Sequence, residues 1–250
     1  MFQQKKLDNS SFGKQALINE MEIMRKVNNP YIIKLYEVYE SQNSIYFILE
    51  SLIGGELMER LKKYTSIKEY DIQQIMKNLL IGIEHLHSIG IMHRDLKPQN
   101  LLLRCKTNNY GIVLADLGLA TYQKNENQFL KRCGTPGYIA PEVLKYKDND
   151  PIYGLKCDIF SAGIIFYLLL TGKVPFQAQN YKNVITLNKF CQINYDILEL
   201  KNVSQLALDL LQKMLQPDPN WRISASECLQ HSFFNKNIII LVHHFLTQTT

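Results

Sequence analysis

Apolar residues recur at helical spacing through residues 14–27, where Leu17, Glu20, Met24 and Val27 fall on one face. A carboxylate thus sits in an otherwise apolar stripe. Asn28-Asn29-Pro30 stops that predicted helix. Two strand-like runs follow, residues 32–39 and 45–49, separated by the turn-forming Ser41-Gln42-Asn43. Gly54-Gly55 marks a break, after which strand character largely ends and helical periodicity takes over. Ser66-Ile67-Lys68-Glu69 reads as a capping box opening a helix with Ile72, Ile75, Met76, Leu79, Ile83 and Leu86 on one side. Gly90 ends it. Residues 111–115 read as a short buried strand that delivers Asp116. Later helices are predicted over 157–170, 204–214 and 224–230, the last opened by a second capping box, Ser224-Ala225-Ser226-Glu227. A few strands followed by a helical body predicts an α+β architecture.

Composition narrows the function classes. The 250-residue chain is 46% hydrophobic, enough for a sizeable core. Its formal net charge of +5 is spread along the sequence with no Lys/Arg block, which argues against a nucleic-acid partner. The longest apolar run, residues 163–170, falls well short of the ~20 residues a bilayer span needs and reads as a helix buried on all sides. No membrane partner is therefore expected. No signal-peptide pattern opens the chain. The five cysteines show neither metal-ligand spacing nor a framework of pairs, so reduced thiols in a cytoplasmic or nuclear protein are expected. Nothing in the sequence specifies an oligomeric state.

Chemistry concentrates in His93-Arg94-Asp95-Leu96-Lys97-Pro98-Gln99-Asn100, which sets an acid, a cation and an amide on one loop. Further along come Asp116-Leu117-Gly118, Gly134-Thr135-Pro136-Gly137-Tyr138, Ala140-Pro141-Glu142, Asp158 and Arg222. With these motifs in this order, residues 14–234 resemble a eukaryotic-type serine/threonine protein kinase, most like the calcium/calmodulin-dependent group. The resemblance implies a two-lobe fold with ATP and Mg2+ as cofactors and protein Ser/Thr hydroxyls as acceptors. It makes Asp95 the base that orients the acceptor hydroxyl, with Lys97 and Thr135 beside it. Asn100 and Asp116 become the Mg2+ ligands. Glu20, Glu50, Leu52 and Leu102 would line the nucleotide site. Lys97 with Thr135 resembles serine/threonine rather than tyrosine kinases. Structural roles are implied for His93, Leu117, Met24 and Leu35 in a hydrophobic column, for Asp158 behind the catalytic loop, and for a Glu142–Arg222 pair. Leu117 stands where phenylalanine is more usual, one apolar plug for another. Glu56, after Gly54-Gly55, would meet a basic residue upstream of the phosphoacceptor. Leu168 occupies a position that is acidic where a second arginine is demanded.

The resemblance also carries a regulatory expectation. Arg94 is the residue such kinases use to bind an activation-loop phosphate. Yet residues 123–134 contain no Ser, Thr or Tyr, and Lys131 stands where relatives carry a threonine. Phosphorylation there is not expected to switch the protein. Glu126 offers an acidic substitute, or is simply a solvated loop residue.

The N-terminal half of the site is expected to be incomplete. Glu20 matches the helix glutamate whose partner is a lysine on the preceding strand, and counting back to that lysine lands at or before Met1. Residues 1–50 are thus predicted as a partial N-terminal lobe of one helix and two strands, lacking the ATP-lysine strand and the glycine-rich loop. Residues 51–234 form a complete helical lobe, and 235–250 a short extension without calmodulin-target character. Glu20 would lack its cation unless Lys5 or Lys6 reaches it, and ATP binding by the chain would be weak. Three readings stay open: an active kinase, a pseudokinase or scaffold using the helical lobe for protein binding, and a helical interaction module. An intact Asp95, Asn100 and Asp116 set favours the first.

Overall fold

The structure, a computed structural model, describes residues 2–6, 11–42, 44–63, 66–124, 130–148, 150–235 and 241–243. The N-terminal part contains β1 (Phe2–Lys6), α1 (Ser11–Lys26), β2 (Leu35–Ser41) and β3 (Ser44–Leu49). Next come β4 (Gly55–Glu56), α2 (Leu57–Leu61), β5 (Ser66–Lys68) and α3 (Glu69–Ser88). The loop-bearing region has β6 (Ile91–Met92), β7 (Leu101–Leu103), β8 (Ile112–Leu114) and β9 (Thr121–Tyr122). The helical body adds α4 (Pro141–Lys145), α5 (Lys156–Thr171), α6 (Tyr181–Lys189), α7 (Leu198–Lys201), α8 (Gln205–Met214) and α9 (Ala225–Gln230), and β10 (Leu241–His243) follows. The α+β architecture expected from the sequence is the one observed.

One finding changes the picture of the N-terminal part. Its sheet has the order β1-β3-β2, so the strand preceding α1 lies within the chain, antiparallel to β3. Phe2-Gln3-Gln4-Lys5-Lys6 has a single apolar residue and no alternation, so the hydrophobic pattern cannot reveal it. Its stability comes from backbone pairing with β3, whose Ile45, Phe47 and Leu49 are buried. Register sets Lys5 opposite Ile45 and Gln3 opposite Phe47.

The capping box expected at Ser66 does not form. Helix α3 begins only at Glu69, with Ser66–Lys68 extended and paired with β10. The Glu69 carboxylate is fully buried and caps a different helix, accepting hydrogen bonds from Ser204 N at 2.9 Å and Ser204 Oγ at 2.5 Å. Ser204 in turn is the N-cap of α8, accepting from Ala207 N. One bond of a capping box is thus made within α8, and the other is supplied by Glu69, 135 residues away. The second expected box, at Ser224 and Glu227, is present on α9.

Helix α5 is the centre of the body, buried at every position from Cys157 to Thr171, as its all-round apolarity predicts. A Cβ at Gly163 would lie 2.7 Å from Leu215 Cδ2, so glycine lets α5 meet the end of α8. Among the described residues no helix is long and apolar enough to cross a membrane. The two parts are stitched together by backbone: Ile33 N donates to Leu114 O at 2.9 Å, and Leu114 N to Tyr31 O at 2.8 Å. That stitch fixes β8, and β8 delivers Asp116.

Candidate active site

The loop of residues 93–100 leaves the buried strand β6 and is held from below by α5. Asp158, 1% exposed, accepts hydrogen bonds from His93 N and Arg94 N, each at 2.8 Å, and lies 3.0 Å from His87 Nε2. Burial works to raise its carboxyl, but the hydrogen bond from His87 and the Arg94 amide outweigh burial and keep it below the ordinary carboxylate range. The anchor therefore stays ionised. His93 is fully buried, and burial pushes its imidazole below the usual value, so it sits in the core uncharged. Arg94 adopts φ 68°, a left-handed backbone that an unsupported arginine would avoid. His87 had no local signal in the sequence: it is 71 residues from the carboxylate it supports.

Above this anchor three side chains meet. Asp95 Oδ1 accepts from Thr135 Oγ1 at 2.6 Å, and Asp95 Oδ2 from Lys97 Nζ at 2.6 Å. Lys97 Nζ also donates to Thr135 Oγ1 at 3.1 Å, closing the triangle. The residues are partly open to solvent, with side chains 24% exposed for Lys97 and 11% for Asp95. Such a carboxylate can accept the proton of a hydroxyl, with a cation beside it to offset negative charge.

Asn100 is buried on the short 3₁₀ turn that follows, and its Nδ2 donates to Asp95 O at 2.9 Å. That bond fixes the amide orientation and leaves Oδ1 as the available hard acceptor. Ala115 N donates to Asn100 O at 2.8 Å, which ties this turn to the end of β8. There Asp116 adopts φ 62° and is exposed, while Ala115 and Leu117 on either side are buried. Asp116 Oδ1 accepts from Gly118 N at 3.2 Å. One amide oxygen and one carboxylate suit Mg2+, which takes few protein oxygens and completes its shell with water and phosphate.

Other expected residues are distributed as follows. Glu20 is buried at 4% exposure on α1 and has an interaction partner, so it is not the orphan carboxylate expected from the sequence. Its neighbour Asn19 donates from Nδ2 to Ala120 O at 2.8 Å, tying α1 to the segment after Asp116. Sequence periodicity gave no hint of that contact. The Glu50 carboxylate pairs with Arg104 Nη1 at 2.7 Å and lines a cavity of about 290 Å3 with Pro30 and Lys34. Its backbone N donates to Lys34 O at 3.0 Å. Leu52 and Leu102 are half-buried against the core. Glu56 is exposed on β4, in register with Leu102.

Arg94 is engaged by backbone carbonyls and a tyrosine hydroxyl. Its Nε donates to Leu119 O at 2.8 Å, and its Nη1 to Leu130 O at 2.6 Å and to Tyr153 Oη at 3.4 Å. Glu126 lies outside the described residues. Gly134, at φ 116°, packs directly on this turn: a Cβ there would lie 2.8 Å from Arg94 O. Behind the loop, Arg222 is 0% exposed and grips Glu142 with both Nη atoms, at 2.6 and 2.9 Å. This is the pair expected from the sequence.

Comparison with known proteins identifies the family. The family described as "Protein kinase domain" matches residues 1–234. The chain belongs to the protein kinase family. It is 37% identical over 230 residues to a probable serine/threonine-protein kinase 2 of Plasmodium falciparum, covering 92% of this chain and 44% of that protein. It is 35% identical over 226 residues to a serine/threonine-protein kinase H1 homolog of Pinctada fucata, with coverage of 90% and 54%. Against calcium/calmodulin-dependent protein kinase type 1B of Rattus norvegicus it is 35% identical over 220 residues, with coverage of 88% and 63%. The kinase chain thus spans about half the length of these curated relatives.

Proposed function

We propose that the protein is a serine/threonine protein kinase that transfers the γ-phosphate of ATP to protein hydroxyls. The observation that carries this reading is the triangle of Asp95, Thr135 and Lys97, in which a carboxylate accepts a hydroxyl hydrogen bond at 2.6 Å beside a cation. Asp95 orients the acceptor hydroxyl and takes its proton. The hydroxyl oxygen bonds to the γ-phosphorus, the bond to the β,γ-bridging oxygen breaks, and ADP departs. Lys97 offsets charge on the transferring group. Asn100 Oδ1 and Asp116 would hold Mg2+, which supplies charge neutralisation across the phosphates when bound. On the nucleotide side, the backbone at Glu50 and the apolar side chains of Leu52 and Leu102 line the base. Strand β1 contributes Lys5 and Lys6, in register with Ile45 and Ser44, as the candidate cations for the phosphates. Residues 1–50 form the N-terminal lobe, 51–234 the C-terminal lobe and 235–250 an extension. The five cysteines are free thiols, which supports a cytoplasmic setting.

The acceptor peptide is proposed to carry one basic residue upstream of its Ser or Thr, read by the exposed Glu56. The experiment is a comparison of Ser, Thr and Tyr peptides with and without an upstream arginine. Ser/Thr peptides with arginine are expected to be preferred. Glu56→Gln is expected to reduce that arginine preference about two- to fivefold, the value of an exposed charge pair. Preference for tyrosine would refute the acceptor class, and an unchanged arginine preference would refute the role of Glu56.

Regulation differs from kinases that wait for an activation-loop phosphate. The carbonyls of Leu119 and Leu130 and the Tyr153 hydroxyl already occupy the Arg94 guanidinium. Phosphatase treatment is therefore expected to leave the transfer rate within about twofold. A phosphate mapped within residues 123–134, whose removal abolishes activity, would contradict this.

A further inference from the structure

Downstream of Thr135, the chain turns back towards α5 and α6 through Gly137, Tyr138 and Ile139. Helix α6 carries Asn188, which is 0% exposed, the one buried polar side chain of that helix. Its Oδ1 accepts from Gly137 N at 3.0 Å, and its Nδ2 donates to Ile139 O at 2.7 Å. One carboxamide thus satisfies a backbone donor and a backbone acceptor two residues apart, as a neighbouring strand would. Between those two bonds, Ser161 Oγ on α5 donates to Tyr138 O at 2.7 Å. Gly137 sits at φ 89°, a conformation that the clamp must hold. At the near end, Tyr138 N donates to Thr135 O at 3.0 Å, and Thr135 bonds Asp95.

We propose that Asn188 is a positioning residue for the acceptor peptide, fixing the 137–139 backbone relative to Thr135 and Asp95. The proposal rests on the kinase reading above. Neither Asp, which replaces the donor with a second acceptor facing Ile139 O, nor Ala, which removes both bonds, can reproduce the clamp. Asp keeps the volume of the side chain, so the buried site stays filled. Because the clamp acts on the acceptor side alone, its loss should spare steps that need only ATP, metal and water.

The test uses Asn188→Asp and Asn188→Ala in the whole protein, with rates expressed per molecule able to bind Mg·ATP. The expected result is a fall in kcat/KM for a Ser/Thr peptide of about 10- to 100-fold. The KM for ATP and the slow hydrolysis of ATP by water should stay within about twofold of wild type. A peptide kcat/KM within about twofold of wild type overturns the proposal, as does an equal fall in ATP hydrolysis. If neither variant folds, Asn188 belongs to the stability of the lobe and the proposal is likewise overturned. A wild-type protein that transfers no phosphate would instead sink the kinase reading, so the two failures are distinguishable.

Discussion

Asp95→Asn is expected to slow phosphoryl transfer by about 10²- to 10⁴-fold, the usual contribution of a positioned base. The substitution keeps the size of the side chain and its place between Thr135 and Lys97. What it removes is a carboxylate oxygen that accepts from Lys97 Nζ at 2.6 Å, since the amide nitrogen presents hydrogens to that cation instead. The hydroxyl of the acceptor loses both its aim and the place for its proton. Asn100 Nδ2 bonds the backbone oxygen of Asp95 rather than its side chain, so the metal-facing amide keeps its orientation. The KM for ATP should therefore change by no more than about twofold while kcat collapses. Steady-state kinetics on a Ser/Thr peptide measure both. Loss of ATP affinity equal to the loss of kcat would place Asp95 in nucleotide binding instead of acceptor activation.

Removing one partner of the Arg222–Glu142 pair should be the most damaging change to stability. Arg222 is wholly buried and spends its guanidinium on Glu142, on the carbonyls of Gln216, Lys156 and Pro217, and on the face of Phe160, 5.1 Å from the ring centre. Glu142→Ala leaves that cation buried without its countercharge, and Arg222→Ala leaves the carboxylate and three carbonyls short of a donor. Each is expected to destabilise the fold by about 3–5 kcal/mol. For a domain of this size that corresponds to a fall in Tm of roughly 6–20 °C. The double variant should lose less than the sum of the single losses, because each single variant already breaks the pair. Thermal unfolding of the three variants tests this. A single-variant shift of about 2 °C or less would show the pair to be dispensable.

The residues that do chemistry were legible in the sequence because they lie close together along it. Asp95, Lys97 and Asn100 share one loop, and the motif they form, with Asp116 and Thr135 further along, carries a family resemblance that implies their roles. The α5 helix was legible because its apolar residues run without interruption. What the sequence concealed depends on backbone or on distance. Strand β1 has almost no hydrophobic pattern and exists through its pairing with β3. The Ser66 motif has the right letters for a cap, yet Glu69 is taken by Ser204 far along the chain. Local motifs are persuasive only while no distant group competes for the same carboxylate. Arg94 and Asn188 show the same limit from the other side. Both have backbone carbonyls or amides among their partners, which leave no mark on a sequence of side chains.

The glutamate of α1 illustrates how one strand alters a functional expectation. With no strand before α1, Glu20 would be a buried charge needing neutralisation or exposure. With β1 in the sheet and Glu20 engaged, that expectation no longer holds. In the proposed centre the Asp95 triangle serves the acceptor and the Asn100–Asp116 oxygens the metal, and the Ala115 N to Asn100 O bond ties the loop that carries Asn100 to the end of β8.

The most direct measurement is transfer of labelled phosphate from saturating ATP to a Ser/Thr peptide, run with Mg2+ and again with the metal chelated. The account predicts label on the peptide hydroxyl with Mg2+ and none after chelation. No label in the presence of Mg2+, or equal label without it, would contradict the claim that Asp95, Asn100 and Asp116 form a phosphoryl-transfer centre.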